Sequence, residues 1–322
     1  MRRSVIALAV LAAVSLALPA QAVAPTVDLQ PETLPRGADV AVPHVAEGRW
    51  GGVFVDGDRR VELPGRLARI IGPSGDSWLV GTANVGVKRN QRVVRVGADG
   101  DVTDVLRAID ESTVVLSADG STLAFQQTVR KGRRVVTHVV RASDGAHLGE
   151  KGPTAPVDLL DVDATKVVLG SDTRTFAWSF TRDRTRTLAK GMSGDADLSL
   201  DLLTTWTKDP YEGGCTVLSR LSSPSTKIWR SCRDRVAAFS PDGTQVLTFH
   251  KLTDGLGPGR IHLRTLEGRK LATWTTGWFG SWGWESPGVV LLDANGSERA
   301  ATVRCTPERC ENATDPVLVQ AP

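Results

Sequence analysis

The chain has 322 residues, of which 41% are hydrophobic and 23% are charged, and its formal net charge at pH 7 is +3. A chain of this length can bury a large core, either in one large all-β domain or in two domains of ordinary size. The near balance of 39 basic and 36 acidic residues provides no electrostatic footprint for nucleic acid or for an anionic membrane, so we expect neither partner.

Residues 1–24 have the features of a cleavable export signal. Two arginines lie in the first three residues, an apolar run covers residues 5–18, and Pro19 then precedes small residues that fit cleavage after Ala22 or Ala24. The run is shorter than the roughly 20 apolar residues of a membrane-spanning helix, and no later stretch is long and apolar enough to span a membrane. We therefore predict a secreted or extracytoplasmic protein of bacterial origin, with a mature charge near neutral.

The next segment, residues 25–44, contains four prolines and little periodicity. It is predicted to be an extended N-terminal segment packed against the body of the protein. Residues 50–63 then have the pattern of a β-hairpin, with two short apolar runs around a turn.

A repeat occupies the rest of the chain, where short β-branched runs alternate with Asp-Gly, Pro-Gly and Asn-Gly turns. Comparable strands begin 45, 44, 36, 43 and 43 residues apart, near Ser77, Thr122, Lys166, Leu202, Gln245 and Gly288. A period of about 40–45 residues is that of a propeller blade, a four-stranded meander that buries its faces against neighbouring blades. The prediction is an all-β fold, a β-propeller of six or seven four-stranded antiparallel blades over residues 45–322.

The clearest repeat unit contains the sequence AFSPDGTQVLTF over residues 238–249, in which Ser240 to Gly243 form a turn between two strands. A second, degenerate copy, LSADGSTLAF, covers residues 116–125. This sequence resembles the repeat of TolB-like propellers, and the whole pattern is similar to WD-repeat-like secreted bacterial propellers of uncharacterised function. The resemblance implies the fold and a location in the cell envelope, and it says almost nothing about function.

Closure of the ring is predicted at the two ends of the domain. Propellers often close by combining strands from both termini in one blade. The hairpin at residues 50–63 and the apolar residues 317–319 are therefore expected to form a seventh, closing blade together. Otherwise there are six blades with decorated termini.

All four cysteines lie in the last third of the chain, at Cys215, Cys232, Cys305 and Cys310. Of the three possible connectivities, we predict disulfides Cys215–Cys232 and Cys305–Cys310, because each pair would join neighbouring strands and export favours oxidation. The alternative of metal-binding thiols lacks the C-x-x-C spacing of zinc sites. We expect no metal and no cofactor.

The most distinctive stretch is residues 274–284, which hold four of the nine tryptophans. We predict ligand-binding residues there, namely Trp278, Phe279, Trp282 and Trp284, because exposed aromatics offer large contact area at low entropy cost. The alternative is that these rings pack between adjacent blades, which is the more frequent role of aromatic residues.

No linear catalytic motif is present, since G-x-S-x-G and H-E-x-x-H are both absent and the five histidines are scattered. Asp158, Asp161, Asp195 and Asp197 lack calcium-loop spacing and are interpreted as blade-edge carboxylates. Two hypotheses follow. The first is a monomeric, non-catalytic binding propeller that contacts a protein or a glycan in the envelope or outside the cell. The second is a propeller enzyme, a lyase or glycoside hydrolase, with an active site at the channel mouth.

Overall fold

The computed structural model describes residues 24–47, 51–84, 91–129 and 134–319, so the predicted signal sequence lies outside it apart from Ala24. Within these ranges the regular structure is 29 β-strands and two single-turn 3₁₀ helices, Glu111–Thr113 and Pro210–Glu212. None of the helices found there has the length and apolar character needed to cross a bilayer. The all-β prediction is confirmed.

The strands form seven sheets arranged as the blades of a propeller. Strand β1 (Thr26–Asp28) precedes blade one, which consists of β2 (His44–Glu47), β3 (Gly52–Asp56) and β4 (Arg59–Glu62). Blade two consists of β5 (Leu67–Ser74), β6 (Ser77–Ala83), β7 (Arg92–Val96) and β8 (Val102–Arg107). Blade three consists of β9 (Val115–Leu116), β10 (Thr122–Val129), β11 (Arg134–Arg141) and β12 (His147–Thr154).

The remaining four blades follow the same antiparallel order. Blade four consists of β13 (Asp158–Val162), β14 (Val167–Gly170), β15 (Arg174–Ser179) and β16 (Arg184–Lys190). Blade five consists of β17 (Ser193–Asp197), β18 (Leu202–Trp206), β19 (Thr216–Arg220) and β20 (Lys227–Ser231). Blade six consists of β21 (Asp234–Phe239), β22 (Gln245–His250), β23 (Arg260–Thr265) and β24 (Lys270–Thr275). Blade seven consists of β25 (Trp278–Ser286), β26 (Val289–Asn295), β27 (Arg299–Cys305) and β28 (Cys310–Asn312), and β29 (Val317–Leu318) also pairs with β27.

The predicted repeat is confirmed and the blade number is seven. The second strands of blades two to seven begin within one residue of the six positions expected from the sequence period. The sequence period therefore marks the second strand of each blade.

The Ser-Pro-Asp-Gly turn is held by its own side chains. Ser240 Oγ donates to Asp242 Oδ1 at 2.6 Å and accepts the backbone N–H of Gln245 at 2.9 Å. Gly243 has a φ of +66°, which favours glycine. The copy in blade three repeats these contacts, with Ser117 Oγ donating to Asp119 Oδ1 at 2.6 Å. These serine hydrogen bonds lower the pKa of both aspartates, so both turns stay charged at neutral pH.

Six clusters of buried apolar side chains fill six of the seven blade junctions. Phe54 and Val80 belong to the cluster between blades one and two, and Val168 and Leu203 to that between blades four and five. The other clusters join blades two and three, three and four, five and six, and six and seven. Middle strands buried on both faces, such as Val246 to Phe249 of β22, explain the continuous apolar runs in the sequence.

The two segments predicted to close the ring together do not pair with each other, so that prediction was wrong. The C-terminal strand β29 pairs with β27, opposite Arg299 and Ala300, so it belongs to blade seven and not to the blade formed by the N-terminal hairpin. Strand β1 instead pairs in parallel with β24 and gives blade six a fifth strand. Pairing of this kind depends on which sheet edges the folded ring brings near each terminus, which the local pattern does not contain.

Residues 29–43 continue from β1 across blade seven to blade one, and we call this segment the strap. Leu29 is fully buried in the core between blades six and seven. Asn312 on the outer strand of blade seven donates through Nδ2 to the carbonyl of Pro31 at 2.7 Å, and Gly37 N donates to the Asn312 carbonyl at 2.9 Å. The strap therefore carries the chain from the edge of blade six to the start of blade one.

Both predicted disulfides are present. Cys215–Cys232 joins the residues just outside the paired strands β19 and β20, with a Cα–Cα distance of 3.9 Å. Cys305–Cys310 joins directly paired residues of β27 and β28, with a Cα–Cα distance of 4.2 Å. Each bridge thus links neighbouring strands of one blade, which is the reason for which these pairs were predicted.

Candidate functional site

Blade one differs from the other six blades because its described residues form three strands instead of four. The chain passes from β4 to β5 through residues 63–66 alone. Comparably short links, of two or three residues, join the outermost strand of blades three to six to the innermost strand of the next blade. The length of the link therefore indicates that β4 is the outermost strand of blade one.

Strand direction supports the same assignment. A Cβ on Gly65 would lie 2.8 Å from the carbonyl oxygen of Ala83, and Ala83 pairs with Leu67 at the start of β5. Strand β4 thus ends at the edge of the propeller where β5 begins, so it runs in the direction of a second or fourth strand. As the last of three consecutive strands it is the fourth, and the position without a described strand in blade one is the innermost.

The junction between blades seven and one is also unlike the other six, since no cluster of buried apolar side chains spans it in the described ranges. Burial alternates along β26 and β27. Val290, Leu292 and Val303 are fully buried toward blade six. The residues between them, including Asp293 and Thr302, lie on the opposite face and are only half-buried. Blade seven therefore presents a polar face toward blade one.

These two features leave a cavity of about 1110 Å³, which we call the closure cleft. Its walls come from the end of the strap and β2, from β5, and from the strands of blade seven. Its lining residues include the polar residues His44, Arg69, Ser281, Asp293, Asn295 and Thr302, and also Trp282 and Trp284. A cavity of this size is at the upper end of the range for ligand sites.

The structure separates the four predicted ligand-binding residues. Trp282 and Trp284 line the closure cleft and are half-buried. Trp282 also packs against Phe249 of blade six, with ring centroids 4.9 Å apart, and donates through Nε1 to the Ala237 carbonyl at 3.3 Å. Trp278 is half-buried outside the cleft lining, whereas Phe279 is fully buried in the core between blades six and seven. Trp282 and Trp284 pair with Leu292 and Val290, so their rings lie on the blade-six face of blade seven, opposite the polar face that borders the cleft, and pack against the core between blades six and seven.

Polar groups converge on one wall of the cleft. Asp293 accepts a hydrogen bond from the Ser281 hydroxyl and another, at 2.7 Å, from the Thr302 hydroxyl. This wall therefore combines a carboxylate with two hydroxyl groups.

A second group of residues lies on the inner strands of blades four to six. Burial raises the pKa of Asp161 to about 6, although its carboxylate accepts backbone N–H groups from Leu198 and Val162. Asp195 is accessible to solvent but enclosed by protein, and this desolvation raises its pKa. Arg235 acts in the opposite direction on Asp195. No group of three or more His, Cys, Asp or Glu side chains suited to a metal ion occurs among the described residues.

The polar wall of the closure cleft was missed at the sequence level. Asp293, Ser281 and Thr302 belong to no motif and are separated by up to 21 positions in the chain. The available signal was the alternation of apolar and polar residues in the two short runs 292–295 and 301–304. In a fold whose other middle strands are apolar on both faces, such alternation marks a face that no neighbouring blade covers.

The fold defines the protein as a seven-bladed β-propeller in which the described residues of blade one form three strands. A chain of the mitotic checkpoint complex is similar at a TM-score of 0.51 and 14% identity, over 80% of this chain and 86% of that one. At this identity the similarity concerns the propeller fold alone. An uncharacterized protein from Listeria monocytogenes EGD-e aligns at a TM-score of 0.49 and 14% identity, over 76% of this chain and 81% of its own. BamB from Moraxella catarrhalis aligns at 0.46 and 14%, over 78% of this chain and 76% of its own. No family model and no curated protein matches the chain.

Proposed function

We propose that this protein is an extracytoplasmic, non-catalytic binding propeller that holds a protein or a glycan in the closure cleft. The observation that carries the proposal is the contrast between blade junctions. Among the described residues, six are filled by buried apolar clusters, whereas the seventh is an open cleft with a polar wall. A junction that served stability alone would gain most from the same apolar packing.

The chemistry of the cleft suits recognition. Ile70 and Leu291 offer apolar contact area in its lining. Asp293, Ser281 and Thr302 offer hydrogen-bonding groups that fix the orientation of a ligand. The proposed binding residues are therefore Ile70 and Leu291, together with this polar wall.

The decisive variant is Gly283→Phe. Gly283 lines the cleft, and an added Cβ there meets no atom within 4 Å, so a larger side chain enters open space without disturbing the fold. Thr103→Phe is the matched control, because Thr103 is exposed on the outer strand β8, away from the cleft. Both variants should have the thermal stability of the wild type.

The experiment is a pull-down from envelope extract and a glycan array, run with the mature wild type and both variants. We expect a ligand that the wild type and Thr103→Phe bind and that Gly283→Phe does not. If Gly283→Phe binds the ligand as well as the wild type, the binding site lies elsewhere. If neither assay detects a ligand and the protein turns over a substrate, the binding function is refuted.

Export is part of the proposal. Two disulfides, and the absence of any membrane-crossing helix in the described ranges, are compatible with a location outside the cytoplasm. Intact-mass analysis of protein recovered from the culture medium or periplasm should show cleavage after Ala22 or Ala24. Protein that retains Met1 would contradict this part of the proposal.

A propeller enzyme, a lyase or glycoside hydrolase, is the second candidate. The observation in its favour is the raised pKa of Asp161 and of Asp195, which has Arg235 as a neighbouring charge, since a general acid needs a pKa close to the working pH. Turnover of polysaccharide substrates that is abolished in Asp195→Asn and retained in Gly283→Phe would support this function over binding in the cleft.

A further inference from the structure

We propose that the ligand of the closure cleft is an extended peptide segment of another protein, which pairs with β2 as the innermost strand of blade one. This inference rests on the proposed binding function and specifies its ligand class. It starts from the innermost position of blade one, which no described strand occupies: in each of the other six blades an antiparallel strand lies inside the second strand.

The backbone of β2 has unpaired groups at this position. Gly52 of β3 donates to the Gly65 carbonyl at 3.1 Å and accepts from Leu63 N at 3.0 Å, so its backbone groups point toward β4. Because the direction alternates along a strand, Val53 and Val55 point toward β2 and bond their partners there, Ala46 and His44.

The intervening residues of β2 therefore point away from β3. These are Val45 and Glu47, and their N–H and C=O groups face the side on which an innermost strand would lie. No hydrogen bond occupies these backbone groups within the described part of the chain. An exposed strand edge of this kind is a template for strand addition, in which main-chain hydrogen bonds supply affinity.

The walls of the cleft suit the side chains of such a strand. Ile70 and Leu291 offer apolar surface to alternate side chains. A glycan would satisfy the polar wall, but it does not supply donors and acceptors at the spacing of a β-ladder.

Charge complementarity specifies one residue of the peptide. Arg69 in the cleft lining pairs with Glu111, and Asp315 pairs with Arg36. Asp293 accepts only hydroxyl hydrogen bonds and has no ion pair among the described residues. A lysine or arginine opposite Asp293 would form a charge-assisted hydrogen bond in this half-buried setting. The expected ligand is thus an extended segment of alternating apolar residues that includes one basic side chain.

The test is selection from a phage-displayed random dodecapeptide library on the mature wild-type protein, with counter-selection on Gly283→Phe. We expect enriched sequences rich in β-branched or aromatic residues at alternate positions, with one Lys or Arg. Synthetic versions should bind the wild type and Thr103→Phe, and Asp293→Asn should weaken them by about tenfold, the loss of one charge-assisted contact. A peptide with proline at the centre should not bind, because proline removes a ladder donor.

Amide exchange measured by NMR separates strand addition from other binding in the cleft. On binding, the amides of Val45 and Glu47 should become protected, whereas those of His44 and Ala46, already bonded to β3, should change little. Absence of enrichment, or binding without protection of Val45, would overturn the inference.

The same experiment distinguishes the two levels of the proposal. A glycan-array ligand that Gly283→Phe blocks, without any peptide binding, would leave the proposed function standing and refute the strand. A dimer in light scattering that Gly283→Phe converts to monomer would identify a second copy of the chain as the occupant and would also refute it. If neither peptides nor glycans bind, both the proposed function and the added strand are refuted.

Discussion

The strap is anchored to blade seven through Arg304, and replacing this residue by alanine tests how the ring is held closed. The guanidinium donates to both carboxylate oxygens of Glu285, with Nη2–Oε1 at 2.8 Å, and through Nη1 to Glu311 at 3.2 Å. It also donates to the strap carbonyls of Ala38 at 2.9 Å and Asp39 at 2.8 Å. One side chain thus links the end of β25, the third and outer strands of blade seven, and the strap.

The expected loss follows from the burial of the ion pair. The side chains of Arg304 and Glu285 are only 14% and 9% exposed, so Arg304→Ala leaves a desolvated carboxylate without its partner. Removing one member of a buried pair costs about 3–5 kcal/mol. With an unfolding entropy of roughly 2 cal/mol/K per residue, this free energy corresponds to a decrease of about 5–8 °C in Tm for a chain of this size.

The assay is thermal and urea unfolding at pH 7, followed by circular dichroism, for Arg304→Ala and for the double variant Arg304→Met/Glu285→Gln. The double variant should lose much less stability, since it leaves no charge unpaired. Arg304 lowers the pKa of Glu285. The stability that the pair contributes is therefore present above the ordinary glutamate pKa and is lost as the pH falls through the lowered one. A loss below about 1 kcal/mol in Arg304→Ala, or an equal loss in the double variant, would refute the argument.

Three further predictions follow from single contacts. Replacing Cys215 and Cys232 by alanine should destabilise the protein by about 3 kcal/mol, given a loop of 17 residues, and unfolding of reduced and oxidised protein measures this; equal Tm values would contradict it. Burial lowers the pKa of His262 to about 4, so between pH 4 and pH 6.5 the histidine takes up a proton when the protein unfolds. The free energy of unfolding should therefore fall by up to about 3 kcal/mol as the pH drops from 6.5 to 4. A pH titration of the unfolding midpoint should show this slope in the wild type and not in His262→Gln. Trp282→Ala should cost about 3 kcal/mol in urea unfolding because it removes the ring packed on Phe249, whereas Trp282→Phe should cost much less, and similar values for the two variants would show that this packing is unimportant.

The residues of the candidate site could be predicted only in part from the sequence. The tryptophan-rich stretch predicted binding residues on β25, but the four candidates differ in how deeply they are buried. Trp282 and Trp284 are half-buried and pack toward blade six, whereas Phe279 is fully buried. An aromatic residue looks the same in sequence whether it meets a neighbouring blade or solvent, because the partner surface is supplied by residues more than 30 positions away, such as Phe249.

Local features explain what the sequence determined by itself: the strands, their turns, the repeat and the disulfide pairs. The turn at Ser240 bonds to atoms within five residues, and each cysteine pair lies on strands joined by one turn. Ring closure was decided by the tertiary structure. Strand β1 pairs with blade six, β29 pairs with blade seven, and blade one has three described strands. The physical reason is that any free sheet edge offers the same backbone groups to any strand. Which terminal strand meets which edge therefore depends on where the completed ring brings the chain ends.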